Sequence, residues 1–336
     1  MSTQKIRAVR DRLGFEGSVI FLLDNLIWPI LAVVFIGFWI LLPEFFATSR
    51  NIQYLLYSGA GLACITLAEG LCLLSGNFDL SVGSIAGFSA MFGAVFAAQW
   101  FPGTPALVAI AVMLVMGGSI GALNGFSVAY LGVNPFLQTL SFLIIFEGLI
   151  ITLSTRSITS LPEMYFYVGN GTLFGIPFAI ILTIGLYLVV WTWLKYSNFG
   201  NAIYAVGGNR DSAEKAGINT KRVILVTFIL SGVFSALGGL IFTGFLGAAT
   251  PNLTSGQLFP AFAAAVVGGI SLFGGRGNIL NAYGGVLLLG MVEAGLVMLG
   301  IGVTLINAIQ GSILLAAILL YTFVERYRES LIAEFS

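Results

Sequence analysis

"GNFDLSVGS", residues 76–84, places an aspartate, an asparagine, two serines and two glycines between two of the longest apolar runs in the chain. What such a stretch can do depends on the solvent around it. Of 336 residues, 58% are hydrophobic and 8% charged, and the mean hydropathy is +1.01. These values lie far outside the soluble globular range, so the chain reads as a polytopic membrane protein. In that setting a polar break marks where one span ends and the next begins. Gly76 and Asn77 suit a tight turn. Asp79 or Ser81 can cap the following helix, giving its first N–H groups the partners that lipid cannot supply.

Working outward from this turn, apolar segments of about 20 residues, the length that crosses roughly 30 Å of hydrocarbon as a helix, fall at 26–46, 52–74, 82–98, 105–131 and 135–153. Five more fall at 173–194, 223–246, 260–273, 280–299 and 304–323, with the third and eighth of the ten the shortest. Lys and Arg collect in short cytoplasmic loops. With the N-terminus inside, ten spans put Lys5, Arg7, Arg10, Arg12, Lys195, Arg210, Lys215, Lys221, Arg222, Arg276, Arg326 and Arg328 on the cytoplasmic side and only Arg50 and Arg156 outside. Removing a middle span scrambles this division. The reading is therefore an all-α, polytopic membrane helix bundle of ten transmembrane helices with both termini cytoplasmic. Its parts are an N-terminal segment 1–25, a transmembrane domain 26–323 with a cytoplasmic loop 195–222, and a tail 324–336. The four basic residues before the first span, without a small-residue cleavage site, mark an uncleaved span rather than a signal peptide.

Several chemistries are excluded. The chain has no histidine, and its two cysteines, Cys64 and Cys72, are eight residues apart on one predicted helix. That separation is about 12 Å of rise, too far for an intrahelical disulfide. Neither a metal site nor a catalytic residue is expected, and no nucleophile elbow or nucleic-acid patch is present. "GGISLFGGRG" at 268–277 is glycine-rich but lacks the spacing and lysine of a phosphate loop.

Gly117, Gly121 and Gly125 form a ladder at four-residue intervals, and Gly83 and Gly87 repeat it, which predicts seams where helix backbones approach closely. In the loop 195–222, "DSAEKAG" offers Asp211 as an N-cap, Glu214 three residues on to complete a capping box, and Gly217 as a stop. A short capped helix in such a loop has little to do for stability in the membrane and is expected to be presented to another protein. The stretch 154–171, with Arg156, Pro162, Glu163, Tyr165, Phe166 and Tyr167, fits an interfacial aromatic belt or an external docking surface equally well.

Three carboxylates fall within predicted spans, Glu69, Glu147 and Glu293, with no Lys or Arg in a span to pair with them. Intramembrane acids face a polar interior, pair, or are protonated. A proton relay, a polar wall for an uncharged solute, and protonated helix-bridging groups all remain open.

The quoted stretch resembles the "GGIDLSVGS" signature of the permease subunits of ribose/xylose/arabinose-type ABC importers. "GALNGFSVAYLGVNPFLQTLSF" is similar to a second motif of that family, carried here by Asn124, Gly125, Pro135, Phe136, Thr139 and Leu140. "FGNAIYAVGGNRDSAEKAGINTKRV" resembles its cytoplasmic coupling loop, and the glycine-rich run from 263 to 301 its C-terminal region, so that four motifs follow the family's order from about residue 51 to 321. The sequence departs at Leu258, Phe259 and Pro260, where the family often has glutamate, leucine and aspartate, and at Asn77, where it has a second glycine.

The resemblance implies a permease working as a pair of identical or related chains. The pair would sit on cytoplasmic ATPase subunits that hold ATP and magnesium, and receive solute from an extracytoplasmic binding protein at the cell membrane. Asn209, Arg210, Asp211, Ser212, Glu214, Lys215 and Gly217 would form the coupling element. The signature turn would comprise Gly76, Asn77, Asp79, Ser81 and Gly83. Glu69, Asn124, Phe136, Gln138 and Thr139 are candidates for the wall of the solute path. The expected cargo is a monosaccharide or related polyol, with a nucleoside or branched-chain amino acid as alternatives. The different-class alternative is a proton-coupled carrier using the three glutamates.

Overall fold

The computed structural model of the chain describes residues 25–333, with side chains as far as Leu319. Lys5, Arg7, Arg10 and Arg12, with the rest of residues 1–24, lie outside the described residues, as do residues 334–336.

The architecture is an all-α bundle. In chain order, α1 (Ile27–Leu41), α2 (Ser49–Ser58), α3 (Ala60–Leu74) and α4 (Val82–Val95, extended by a π-helical turn Phe96–Trp100) precede α5 (Ala106–Tyr130) and α6 (Pro135–Leu153). A short α7 (Glu163–Asn170) leads through a hairpin of two two-residue strands, β1 (Thr172–Leu173) and β2 (Ile176–Pro177), into α8 (Phe178–Tyr196). Then come α9 (Asn198–Gly208), α10 (Arg210–Lys215), α11 (Thr220–Leu246), α12 (Leu258–Val267), α13 (Ile279–Met298) and α14 (Val303–Ala333).

Each of the ten apolar segments read from the sequence contains helix, but they are not equivalent. Six helices are long and apolar enough to cross a membrane, at 82–100 and in α5, α6, α8, α11 and α13. A seventh crossing is made if α2 and α3, which meet at a 45° bend, count as one. The other three apolar helices, α1, α12 and 303–319 of α14, are shorter. The expected eighth span, 260–273, gives only the ten-residue α12, about 15 Å of helix and half the hydrocarbon thickness. Left-handed glycines at 269, 274, 275 and 277 follow it, so the apolar composition continues into turns rather than helix.

At the centre lies α11, packed against α3, α4, α5 and α7. The glycine ladder of α5 faces it. A Cβ on Gly121 would stand 2.1 Å from the carbonyl oxygen of Phe228, and one on Gly232 would stand 2.1 Å from that of Gly117. Only glycine permits this approach, and it brings two backbones together where lipid offers no hydrophobic drive. By contrast, α6 lies at the rim, with 17% of its apolar window buried.

The stretch 154–171 is buried at Ile158, Tyr165, Gly169 and Gly171 and otherwise exposed or half-buried. Ile158 exchanges backbone hydrogen bonds with Ala249, and Tyr165 is fully buried, donating its hydroxyl to the Met113 sulfur at 3.2 Å. Gly169 lies against Gly244. The segment folds over α5 and α11, because Gly169, facing Gly244, lets α7 dock closely on α11.

Candidate functional site

The signature turn is an interrupted span held by hydrogen bonds. Gly76 has φ of 75°, which reverses the chain after α3. Asn77 donates to the carbonyl and hydroxyl oxygens of Ser75, fixing the turn from its own side chain. Ser81 occupies the N-cap position of α4, yet its side chain caps nothing. Its hydroxyl donates instead to Asp79 Oδ1, which also accepts the Ser81 N–H at 3.1 Å. Asp79 Oδ2 accepts from the Ser231 hydroxyl of α11 at 2.8 Å. The aspartate therefore binds its own turn to the central helix, and capping by Ser81, one of the two expectations, gives way because its hydroxyl is already committed.

Residues chosen from separate motifs converge on this turn. Asn124 on α5 donates to Ser81 Oγ at 2.9 Å, and Gln138 on α6 donates to Asn124 Oδ1 at 3.4 Å. Thr139 Oγ1 accepts the Leu80 N–H at 3.1 Å, satisfying a backbone group that the broken helix leaves free. Asp79, Ser81, Asn124 and Thr139 are fully buried. Phe136 does not join them. It lies exposed in the first turn of α6, whose N-terminus is capped by Asn134 and begun by Pro135. Sequence reasoning missed Ser231, whose only signal is a hydroxyl in the apolar run "FILSGVF".

Glu69 is also fully buried, and neither of its carboxyl oxygens has a hydrogen-bond partner. Thr66 Oγ1, one turn earlier on α3, is likewise unpartnered. Glu147 and Glu293 are elsewhere. Glu147 lines a small cavity with Asn252 and Ser255, and Glu293 lines a larger one between α2, α13 and α14. Glu69 lines neither, so the three acids do not form one chain of groups. Among the described residues no group of three His, Cys, Asp or Glu side chains could hold a metal ion, and Cys64 and Cys72 are free and buried.

The other end of the site is α9 and α10. Asn209, not Asp211, is the N-cap of α10, its side chain accepting the Ser212 N–H at 2.8 Å. Asp211 falls in the first turn, where it complements the helix dipole. Gly217, at φ of 84°, stops the helix as expected. Glu214 accepts from the Thr220 hydroxyl and lies 3.9 Å from Arg210. Of the six residues of α10 only Ala213 is buried, so the helix hangs on one small side chain and presents the rest outward.

This outward helix is joined to the signature turn through close backbone contacts, flanked by the Tyr204 hydroxyl, which donates to the Gly277 carbonyl at 3.1 Å, and by Ile203 and Val206, which share an apolar cluster with Leu74. The Gly275 N–H donates to the Leu74 carbonyl at 3.0 Å. A Cβ on Gly207 would lie 2.0 Å from that same oxygen and 2.5 Å from the Gly275 nitrogen. A Cβ on Gly274 would lie 2.6 Å from the Gly76 Cα. The end of α3, the last turn of α9 and the loop after α12 thus meet at a junction of glycines.

Residues 51–321 match the family described as branched-chain amino acid transport system / permease component. The D-allose transport system permease protein of Escherichia coli (strain K12) is 34% identical over 299 residues, 88% of this chain and 91% of that protein. The ribose import permease protein of the same strain is 32% identical over 282 residues, 82% of this chain and 87% of its own length. The autoinducer 2 import system permease protein of Yersinia pestis (strain Pestoides F) is 30% identical over 299 residues, 83% and 89% of the two chains. No solved structure matches the chain. The motifs that resemble sugar-importer permeases thus extend to similarity over most of both chains, and this multi-pass membrane protein belongs to the family of branched-chain amino acid transport system permease components.

Proposed function

We propose that the chain is one permease of a pair in an ATP-driven importer, carrying a neutral monosaccharide or related polyol from an extracytoplasmic binding protein into the cytoplasm. All ten apolar segments cross or enter the bilayer, with segment 1–25, loop 195–222 and tail 324–336 on the cytoplasmic side. ATP and magnesium are held by partner ATPases, and the permease hydrolyses nothing. The relatives named for D-allose and ribose support the cargo class. One observation carries the mechanism. An exposed, capped helix, α10, is joined through Gly207 to the backbone of the interrupted span.

Movement of an ATPase groove holding α10 then reaches the turn at Gly76 through these close backbone contacts, and rocks the paired permeases between outward and inward access. Asp79, Ser81, Asn124, Gln138 and Thr139 keep the broken ends in register, beside a path whose wall includes Glu69 and Phe136. Asp211 and Lys215 are the charges for the ATPase groove, since Glu214 is shared with Thr220 and Arg210. The test is purification in mild detergent from cells expressing the whole importer. The wild-type chain is expected to bring down an ATPase, and Asp211→Lys/Lys215→Glu to lose it while remaining monodisperse. Retention of the ATPase by that variant would overturn the assignment of α10. A chain that comes out alone in every detergent would overturn the importer reading and turn attention to proton-linked transport.

A further inference from the structure

A cavity of about 440 Å³ opens between α2, the segment 255–257, α13 and α14, within the range of small-molecule sites, about 300–1,000 Å³. Its polar lining includes Tyr54, Ser255, Gln257, Glu293, Asn307 and Gln310. The side chains of Gln257, Glu293, Asn307 and Gln310 make no hydrogen bond or ion pair within the described residues. No Lys or Arg lines the cavity. Polar groups on apolar helices are costly unless something hydrogen-bonds them. Here a carboxylate and three amides point to one space, backed by the apolar Leu62, Phe242 and Val286.

We infer that this cavity is a binding site for the transported solute, and that it selects a neutral polyhydroxylated molecule. The inference rests on the importer reading and adds the site. Each hydroxyl is both donor and acceptor. Glu293 takes the donated hydrogens, the amides of Gln257, Asn307 and Gln310 supply both donors and acceptors, and the apolar wall meets the C–H face. A solute carrying carboxylate or phosphate finds no lining cation to pair with. The pattern therefore favours a sugar over an amino acid.

The experiment uses the assembled importer, with its ATPase and binding protein, in proteoliposomes. Both native cysteines are buried, so Ala294→Cys, at a lining position that supplies no polar contact, gives the one reactive thiol among the described residues, and a polar maleimide reads its accessibility. D-ribose, D-allose and L-leucine are the probes. At a sugar concentration about ten times its dissociation constant, labelling is expected to slow about tenfold, the factor set by 1 + [L]/Kd. L-Leucine should not slow it, and Glu293→Gln in the same background should remove the protection. Import of a sugar that gives no protection, equal protection by L-leucine, or a thiol that never reacts in the assembled complex would each overturn the site while leaving the importer reading intact. A complex that hydrolyses ATP but imports neither sugar would overturn the cargo reading, and the site with it.

Discussion

Asp79 accepts three hydrogen bonds in a fully buried position, from the Ser81 N–H, the Ser81 hydroxyl and the Ser231 hydroxyl. Replacing it with alanine leaves three donors without a partner, and each orphaned buried group costs about 1–3 kcal/mol. Asp79→Ala is therefore expected to lower stability by about 3 kcal/mol or more. Ser231→Ala removes one donor and leaves the aspartate two others, for a loss of about 1 kcal/mol. Thermal unfolding in detergent, followed by tryptophan fluorescence, should rank the two in that order. If Ser231→Ala costs as much as Asp79→Ala, the link to α11 rather than the turn's own bonds is what holds the span. Phe136, exposed at the rim, supplies the contrast. Phe136→Ala should stay within about 0.5 kcal/mol of wild type, so any loss of uptake in that variant is a loss of path or partner rather than of fold.

Among the elements, α10 owes its start to one side chain. Asn209→Ala is expected to cost about 1 kcal/mol of local helix stability, whereas Asp211→Asn, in the first turn, should cost less than half of that. Hydrogen exchange of the amides at 210–217 measures both, and faster exchange in Asp211→Asn than in Asn209→Ala would return the cap to Asp211. The pattern D-x-x-E made Asp211 the natural choice from sequence. Asn209, two residues earlier, has the extended backbone that a cap requires, φ −160° and ψ 108°, and that conformation is not written in residue types. The same limit explains α12. Hydropathy counts apolar residues and so marked 260–273 as a span, but the left-handed glycines from 269 onward end the helix after half a crossing. The glycine ladder at 117, 121 and 125 was legible because its four-residue spacing is itself the geometry of a seam. The cluster around Asp79 was only half legible. Its members were picked from separate motifs, but their convergence, and Ser231 above all, depends on contacts across as many as 152 residues.

At the scale of the whole molecule, the question is how an exposed helix at one end can move a buried turn. The glycine junction answers it, because backbone meets backbone there at separations that only glycine allows. A Cβ on Gly207 would meet the Leu74 carbonyl and the Gly275 nitrogen, atoms that cannot swing aside, so Gly207→Ala must part α9 from the end of α3. Gly208, next in sequence, has open space around its own Cβ position and is the matched control. Neither substitution touches Asn209 or the exposed face of α10, so both variants should still assemble with the ATPase. In proteoliposomes Gly207→Ala is expected to keep hydrolysing ATP while its import falls at least about tenfold, a loss of roughly 1.4 kcal/mol of coupling. Gly208→Ala should import at close to the wild-type rate. The deciding quantity is the ratio of solute moved to ATP hydrolysed. If that ratio is unchanged in Gly207→Ala, the stroke must travel by another route, and a second path from α10 runs through Thr220, whose hydroxyl donates to the Glu214 carboxylate, into the length of α11.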